Sequence, residues 1–209
     1  MDTHAKPTRK HALTRLLTDP AYAWRVVRFG LGLPVELRTE DRRVLEKVIF
    51  KRYRELPDVR RVLFVGVDWY TKHYERRYFR GVEFFTIDVK PGAAKFGGAR
   101  HVTASLEALS GHFAPGFFDL IICNGVYGHG LNEHAACERA FAECYVCLRT
   151  GGYFVFGWND VPEYRGAPLE SIESLGRFVP EAPPEFGAVR IVTDTAYRHI
   201  YDFYRKPSL

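Results

Sequence analysis

Phe117-Phe-Asp-Leu-Ile-Ile-Cys123, followed by Asn124-Gly125, is the stretch on which the fold turns. A short apolar run interrupted only by Asp119, rich in isoleucine and bounded by glycine, reads as a strand buried on both faces. A second run, Leu148-Arg-Thr-Gly-Gly-Tyr-Phe-Val-Phe156, holds another strand at Tyr153–Phe156. Between them Asn132 and Glu133 open a helix whose apolar stripe is Cys137, Ala140, Phe141, Cys144 and Leu148. Thr150-Gly151-Gly152 is expected to stop it. Strand, helix and strand in this order predict two parallel neighbours joined by a helical crossover.

The same rhythm extends upstream. Arg61-Val-Leu-Phe-Val-Gly66, Val82-Glu-Phe-Phe-Thr-Ile-Asp88 and His101-Val-Thr103 are three more strands. Downstream of Pro162 the chain is loop-rich, and strands near Ala188–Val192 and His199–Tyr204 close it. Only residues 193–198 join that last pair, too few for a helical crossover, so the two must run antiparallel. The expected fold is α/β: a Rossmann-like, seven-stranded, mostly parallel sheet with an antiparallel C-terminal strand and helices on both faces.

The N-terminal part is helical. Residues 1–12 are polar and basic, and their ends are expected to fray. A mildly helical pattern runs from Leu13 to Phe29, interrupted at Asp19-Pro20, and Gly30-Leu-Gly-Leu-Pro34 reads as a turn. Thr39 caps a second helix with Glu40 and Asp41 in its first turn. Val44, Leu45, Val48, Ile49, Tyr53 and Leu56 form its apolar stripe, and Pro57 ends it. Arg42, Arg43, Lys47, Lys51, Arg52 and Arg54 are assigned to the opposite, solvated face. The division expected is a helical cap over residues 1–58 and a second domain over 59–209.

Composition narrows the function classes. Thirty Lys and Arg against 25 Asp and Glu give the 209 residues a net charge of +5, which makes nucleic acid a partner to weigh. Much of that charge falls on one helix face, where it is weak evidence. No stretch approaches the roughly 20 apolar residues of a membrane span, and Met1–Leu17 carries no secretory signal pattern. Three of the four cysteines, Cys137, Cys144 and Cys147, lie on one predicted helix, which is neither a disulfide framework nor a zinc site drawn from several elements. A cytoplasmic protein with reduced thiols and no metal is expected.

Four stretches in order make the chain from about Arg60 onward resemble the class I S-adenosylmethionine-dependent methyltransferases. In Val62-Leu-Phe-Val-Gly66-Val-Asp68-Trp-Tyr70-Thr71 a strand runs into a glycine. The family's further glycines are replaced by Asp68 and Tyr70, and its preceding acidic residue by Phe64. The resemblance implies cofactor contacts at Gly66, Asp68 and Tyr70, with Asp68 supplying the carboxylate missing at Phe64. Asp88 ends the second strand 22 residues after Gly66, where a carboxylate accepts hydrogen bonds from both ribose hydroxyls. Thr103, or Ser105 beside it, stands near the adenine position, and Ser105 equally suits a helix cap. Phe118-Asp-Leu-Ile-Ile-Cys-Asn-Gly-Val-Tyr-Gly-His129 and then Leu148-Arg-Thr-Gly-Gly resemble the family's fourth strand and its Leu-Lys-Pro-Gly-Gly run.

Methyl transfer is an in-line displacement, and a base is needed only when the acceptor keeps its proton. Acceptors are expected at the carboxyl ends of the fourth and fifth strands. Asn124 falls there as a cofactor contact, with Tyr127, Asn132, Trp158 and Asp160 as acceptor contacts. His129 is the candidate base, because imidazole titrates near neutrality. The expected reaction is methyl transfer from S-adenosylmethionine to a small-molecule acceptor, at oxygen ahead of nitrogen, by a monomer or homodimer without membrane attachment. Two alternatives stand beside it. An RNA methyltransferase is supported by charge and opposed by Asn124-Gly-Val-Tyr127, where an acidic/Asn-Pro-Pro-aromatic motif would stand. A non-catalytic domain is favoured by the altered glycine loop.

Overall fold

The computed structural model describes residues 17–31, 33 and 35–208. The basic segment 1–12, the start of the helix expected from Leu13, and Gly32 and Pro34 of the expected turn lie outside them. The chain divides into two compact units, Met1–Leu37 and Arg38–Leu209. In the first, helix α1 (Pro20–Gly30) opens at the Asp19-Pro20 step. Asp19 is its N-cap and accepts from the Tyr22 N–H at 2.9 Å, while Pro20 occupies a position that needs no donor.

The second unit begins with α2, an α-turn at Glu40–Val44 that passes through a π-helical turn at Leu45–Ile49 into Phe50–Arg54. This helix was expected in a cap ending at residue 58. Its Leu45, Ile49, Phe50 and Tyr53 share a core with Val62, Phe64, Tyr201 and Phe203 of the sheet.

The sheet contains β1 (Arg61–Val65), β2 (Glu83–Asp88), β3 (Arg100–Thr103), β4 (Phe118–Asn124), β5 (Leu148–Asn159), β6 (Val179–Pro180), β7 (Arg190–Val192) and β8 (His199–Arg205). Its order is β3-β2-β1-β4-β5-β8-β6, with β7 also on β8. The first five strands are parallel and β8 runs antiparallel to β5. The C-terminal pair is antiparallel as expected, Ile191 facing Tyr201. An eighth strand, β6, is only two residues long and carries no sequence periodicity. It shares the outer edge of β8 with β7.

Two helices complete the frame used below: α3 (Tyr74–Tyr78) and α4 (His134–Cys147), followed by the short α5 (Glu173–Gly176). Strand alternation sends Leu63, Val65, Ile121, Cys123, Phe154 and Phe156 toward α4, and Val62, Phe64, Leu120, Ile122 and Val155 toward α2. The stop expected at Thr150-Gly151-Gly152 is corrected. Helix α4 ends at Cys147, where the Lys206 ammonium donates to the Tyr145 and Leu148 carbonyls at 2.7 and 2.8 Å. The glycines lie within β5 instead, and Gly151 has φ +67° where the β4–β5 register shifts. The assignment of Arg42 to the solvated face is also corrected, because Arg42, Glu46 and Asp41 are buried.

Candidate active site

The order of the strands reverses between β1 and β4, so the crevice at their carboxyl ends is the switch point at which parallel α/β sheets bind ligands. Gly66 leaves β1 with φ +80°, and a Cβ there would stand 2.8 Å from Val126 Cγ1. Glycine is needed both for that backbone conformation and for the close approach of the loop after β4.

The loop that follows is built without further glycine. Among the described residues Arg198 alone is a non-glycine with positive φ, so neither Asp68 nor Tyr70 adopts the left-handed conformation. Thr71 shapes the turn instead. Its hydroxyl accepts from the Asp68 N–H and donates to the Asp68 carbonyl, at 3.0 and 2.8 Å. Asp68 Oδ1 accepts from the Trp69 N–H at 2.7 Å. Tyr70 is held by Arg42, whose guanidinium lies 4.5 Å from the ring centroid and donates to the hydroxyl at 3.2 Å.

Asp88 ends β2 beside this loop. Oδ2 accepts from the Val67 N–H at 3.0 Å and Oδ1 from the Lys90 N–H at 2.8 Å. Each carboxylate oxygen keeps a lone pair for a further donor. Thr103 is exposed at the end of β3, in register with Asp88. Ser105 caps the next turn, accepting from the Glu107 N–H at 3.3 Å.

On the other side of the switch point, Asn124 ends β4 and is buried. Its side chain crosses Gly157 of β5 to reach β8, where Asn124 Oδ1 lies 2.9 Å from His199 Nε2. A Cβ on residue 157 would stand 2.0 Å from that oxygen. His199 Nδ1 lies 2.6 Å from Asn159 Oδ1, and Asn159 Nδ2 lies 3.1 Å from His129 Nε2. Asn124 Nδ2 is buried with no hydrogen-bond partner. Burial holds the His199 imidazole down to a pKa of about 4.

His129 is exposed after β4, with its ring 4.5 Å from that of Tyr164. The loops after β4 and β5 are tied together. Ala167 N–H donates to the Asn132 carbonyl at 2.8 Å, and Tyr127 OH donates to the Ala167 carbonyl at 2.7 Å. Of the expected acceptor contacts, Asn132 and Asp160 are accessible, and Asp160 pairs with Arg165 and Arg198. Tyr127 and Trp158 turn inward, edge to face at 6.2 Å, and the Trp158 indole donates to Asp202 at 2.8 Å. Sequence reading missed His199, Gly157 and the buried Arg42. Only the glycine in Phe156-Gly-Trp158 could have hinted that something crosses β5.

Residues 65–156 match the family model described as a methyltransferase domain. The match marks a methyltransferase domain within the second unit. No curated protein sequence matches the chain. Among solved structures it is similar to the N-methyltransferase NodS from Bradyrhizobium japonicum in complex with S-adenosylhomocysteine, with TM-score 0.64 at 16% identity over 97% of this chain and 100% of that one. It is similar also to a TehB-like methyltransferase from Corynebacterium glutamicum (TM-score 0.57, 16% identity, 91% and 98% covered). A third is a methyltransferase from Methanosarcina mazei (TM-score 0.54, 14% identity, 78% and 98% covered). The crevice of the domain fits S-adenosylmethionine. Gly66 admits close approach, the Asp88 carboxylate retains acceptor capacity, and one amide atom of Asn124 lacks a protein partner.

Proposed function

We propose that the methyltransferase acts on a small-molecule acceptor, at oxygen ahead of nitrogen, with His129 as the base. S-adenosylmethionine supplies a sulfonium-bound methyl group for in-line displacement. Asp88 takes the ribose hydroxyls, Gly66, Asp68 and Tyr70 line the path of the cofactor beside Asn124, and Thr103 stands at the adenine end. The observation that carries this reading is Asp88. Its carboxylate is fixed by two backbone N–H groups next to the one positive-φ glycine of the loop, and so it is aimed before any ligand arrives. For the acceptor, the tied loops after β4 and β5 support a small molecule, since they wall that end of the crevice. Asn132 and Asp160 stand at its rim, with Tyr127 and Trp158 packed behind. His129 takes the proton of a hydroxyl acceptor and holds it while the new bond forms.

RNA as acceptor is the second reading. It draws on a cleft of about 300 Å³ lined by Lys47, Lys51, Arg54, Arg77, Glu46 and Tyr78, whose cations suit phosphates. NodS is an N-methyltransferase, and nitrogen is the second acceptor atom here.

Two measurements test these readings. Calorimetry with S-adenosylhomocysteine should show Asp88→Asn binding at least about tenfold more weakly, from about 1.4 kcal/mol of lost charged hydrogen bonding. Equal affinity would overturn the role of Asp88. Incubating a cell extract with methyl-labelled cofactor should place label in the small-molecule fraction. Label in RNA would establish the second reading, and no transfer by a protein that binds the cofactor would overturn both.

A further inference from the structure

The chain Asn124–His199–Asn159–His129 links a buried amide at the switch point to an exposed imidazole. Both carboxamide oxygens face His199. Its surroundings decide how many protons it carries. Burial disfavours its charge, Arg42 of α2 and His129 add to that, and Asp41 of α2 opposes it. Tyr197 and Tyr201 present rings to it, 6.3 and 4.6 Å away. A neutral imidazole has one N–H and one lone pair, so one of the two amides must turn over. Only two hydrogen-bond polarities then satisfy the whole chain.

In the first, Asn124 Nδ2–H donates to His199 Nε2, His199 Nδ1–H to Asn159 Oδ1, and Asn159 Nδ2–H to His129 Nε2. His129 then carries its proton on Nδ1, and Asn124 is left with an acceptor oxygen. In the second every bond is reversed. His129 Nε2–H donates to Asn159, Asn159 to His199 Nδ1, and His199 Nε2–H to Asn124 Oδ1. His129 then holds its lone pair at Nδ1, and Asn124 is left with a donor N–H. In the first polarity, protonating His129 at Nε2 breaks its bond to Asn159. In the second, Nδ1 takes a proton with the chain intact.

We propose that His199 is a positioning residue that makes the Asn124 amide and the His129 imidazole one unit, so that a bound cofactor presenting a lone pair to Asn124 selects the tautomer in which His129 is a base at Nδ1. The proposal rests on the readings of Asn124 as a cofactor contact and of His129 as the base, and adds the link between them. Gly157 belongs to the same device, because any side chain there would close the passage from Asn124 to His199.

The test is the imidazole nitrogen spectrum of the full chain, labelled with nitrogen-15 in histidine, without and with S-adenosylhomocysteine at one pH. His129 is assigned through His129→Gln. Wild type should exchange the protonated nitrogen of His129 from Nδ1 to Nε2 when the ligand is added. His199→Phe should abolish that exchange, and Asn159→Ala, which cuts the chain at its outer link, should do the same if His199→Phe does not fold. A His129 tautomer unchanged by ligand in wild type, or an exchange that persists in a folded cut variant, overturns the proposal. Calorimetry on the same samples separates the readings. Failure of wild type to bind S-adenosylhomocysteine overturns the cofactor contact and the proposal together. A tautomer exchange without an imidazole limb in the pH–rate profile overturns only the role of His129 as base.

Discussion

Helices α2 and α4 lie on opposite faces of the sheet and bury stripes of the same geometry, yet their contents differ. In α4 the stripe is Cys137, Ala140, Phe141, Cys144 and Cys147, all fully buried. In α2 it is Arg42, Leu45, Glu46, Ile49, Phe50 and Tyr53, with the i, i+3, i+4 spacing of a core-facing stripe. Two of those six positions are charged, and both are met by tyrosines from the β1 loop and α3. Tyr74 and Tyr78 donate to the two oxygens of Glu46 at 2.8 and 2.7 Å, and Arg42 donates to Tyr74 at 3.4 Å. Burial opposes the charge on Arg42, but Tyr74, Tyr70, Tyr201 and Asp41 outweigh it and hold the guanidinium ionised. An apolar stripe tolerates charge when its neighbours bring matching hydroxyls. One stripe is thus free of charge, and the other combines packing with a polar ladder.

The sharpest contrast comes from truncating each stripe. Phe141→Ala on the α4 face should cost about 4 kcal/mol through lost burial and a residual cavity, read as a lower urea midpoint with an unchanged slope. Arg42→Met on the α2 face should cost about 3 kcal/mol, although it replaces charge by an apolar chain, because Asp41 and two tyrosine hydroxyls lose their partner. A neutral or stabilising result would show that the ladder carries no net stability.

Acid should separate the faces further. His199 lies on the polar side, and burial lowers its pKa to about 4 from an ordinary 6.5. The unfolded chain therefore binds this proton first. The stability that His199 contributes is complete above pH 6.5 and is lost as pH falls toward 4, by about 3 kcal/mol at about 1.4 kcal/mol per unit. His199→Gln should flatten that part of the stability–pH curve. A variant curve parallel to wild type would show that His199 is not the group responsible. The smallest effect belongs to Arg43, next to Arg42 in sequence but with a 65% exposed side chain, 3.7 Å from Glu40. Arg43→Ala should change the urea midpoint by no more than about 0.5 kcal/mol.

These neighbouring arginines show how far the sequence could be read. The strands were legible as apolar runs, and Asp88 stood out by its distance from Gly66, because both are local patterns. Arg42 was misassigned because hydropathy places every arginine outside. Its tyrosine partners stand 28 and 32 positions away, beyond any window. The glycine loop misled in the opposite sense. The family's missing glycines argued against ligand binding, whereas Thr71 builds the turn with no left-handed residue at 68 or 70. His199 was read only as part of a strand, since its link to Asn124 spans 75 residues and depends on the absence of a side chain at position 157.

The α4 face also sets the chemical reactivity of the molecule. All four cysteines are free and buried, and burial raises each thiol, Cys137 and Cys147 to about 11. Thiolate is the species that alkylating reagents attack, so the native protein presents almost none. Labelling by such a reagent must wait for the sheet and α4 to part, and its rate becomes a clock for the opening of that core.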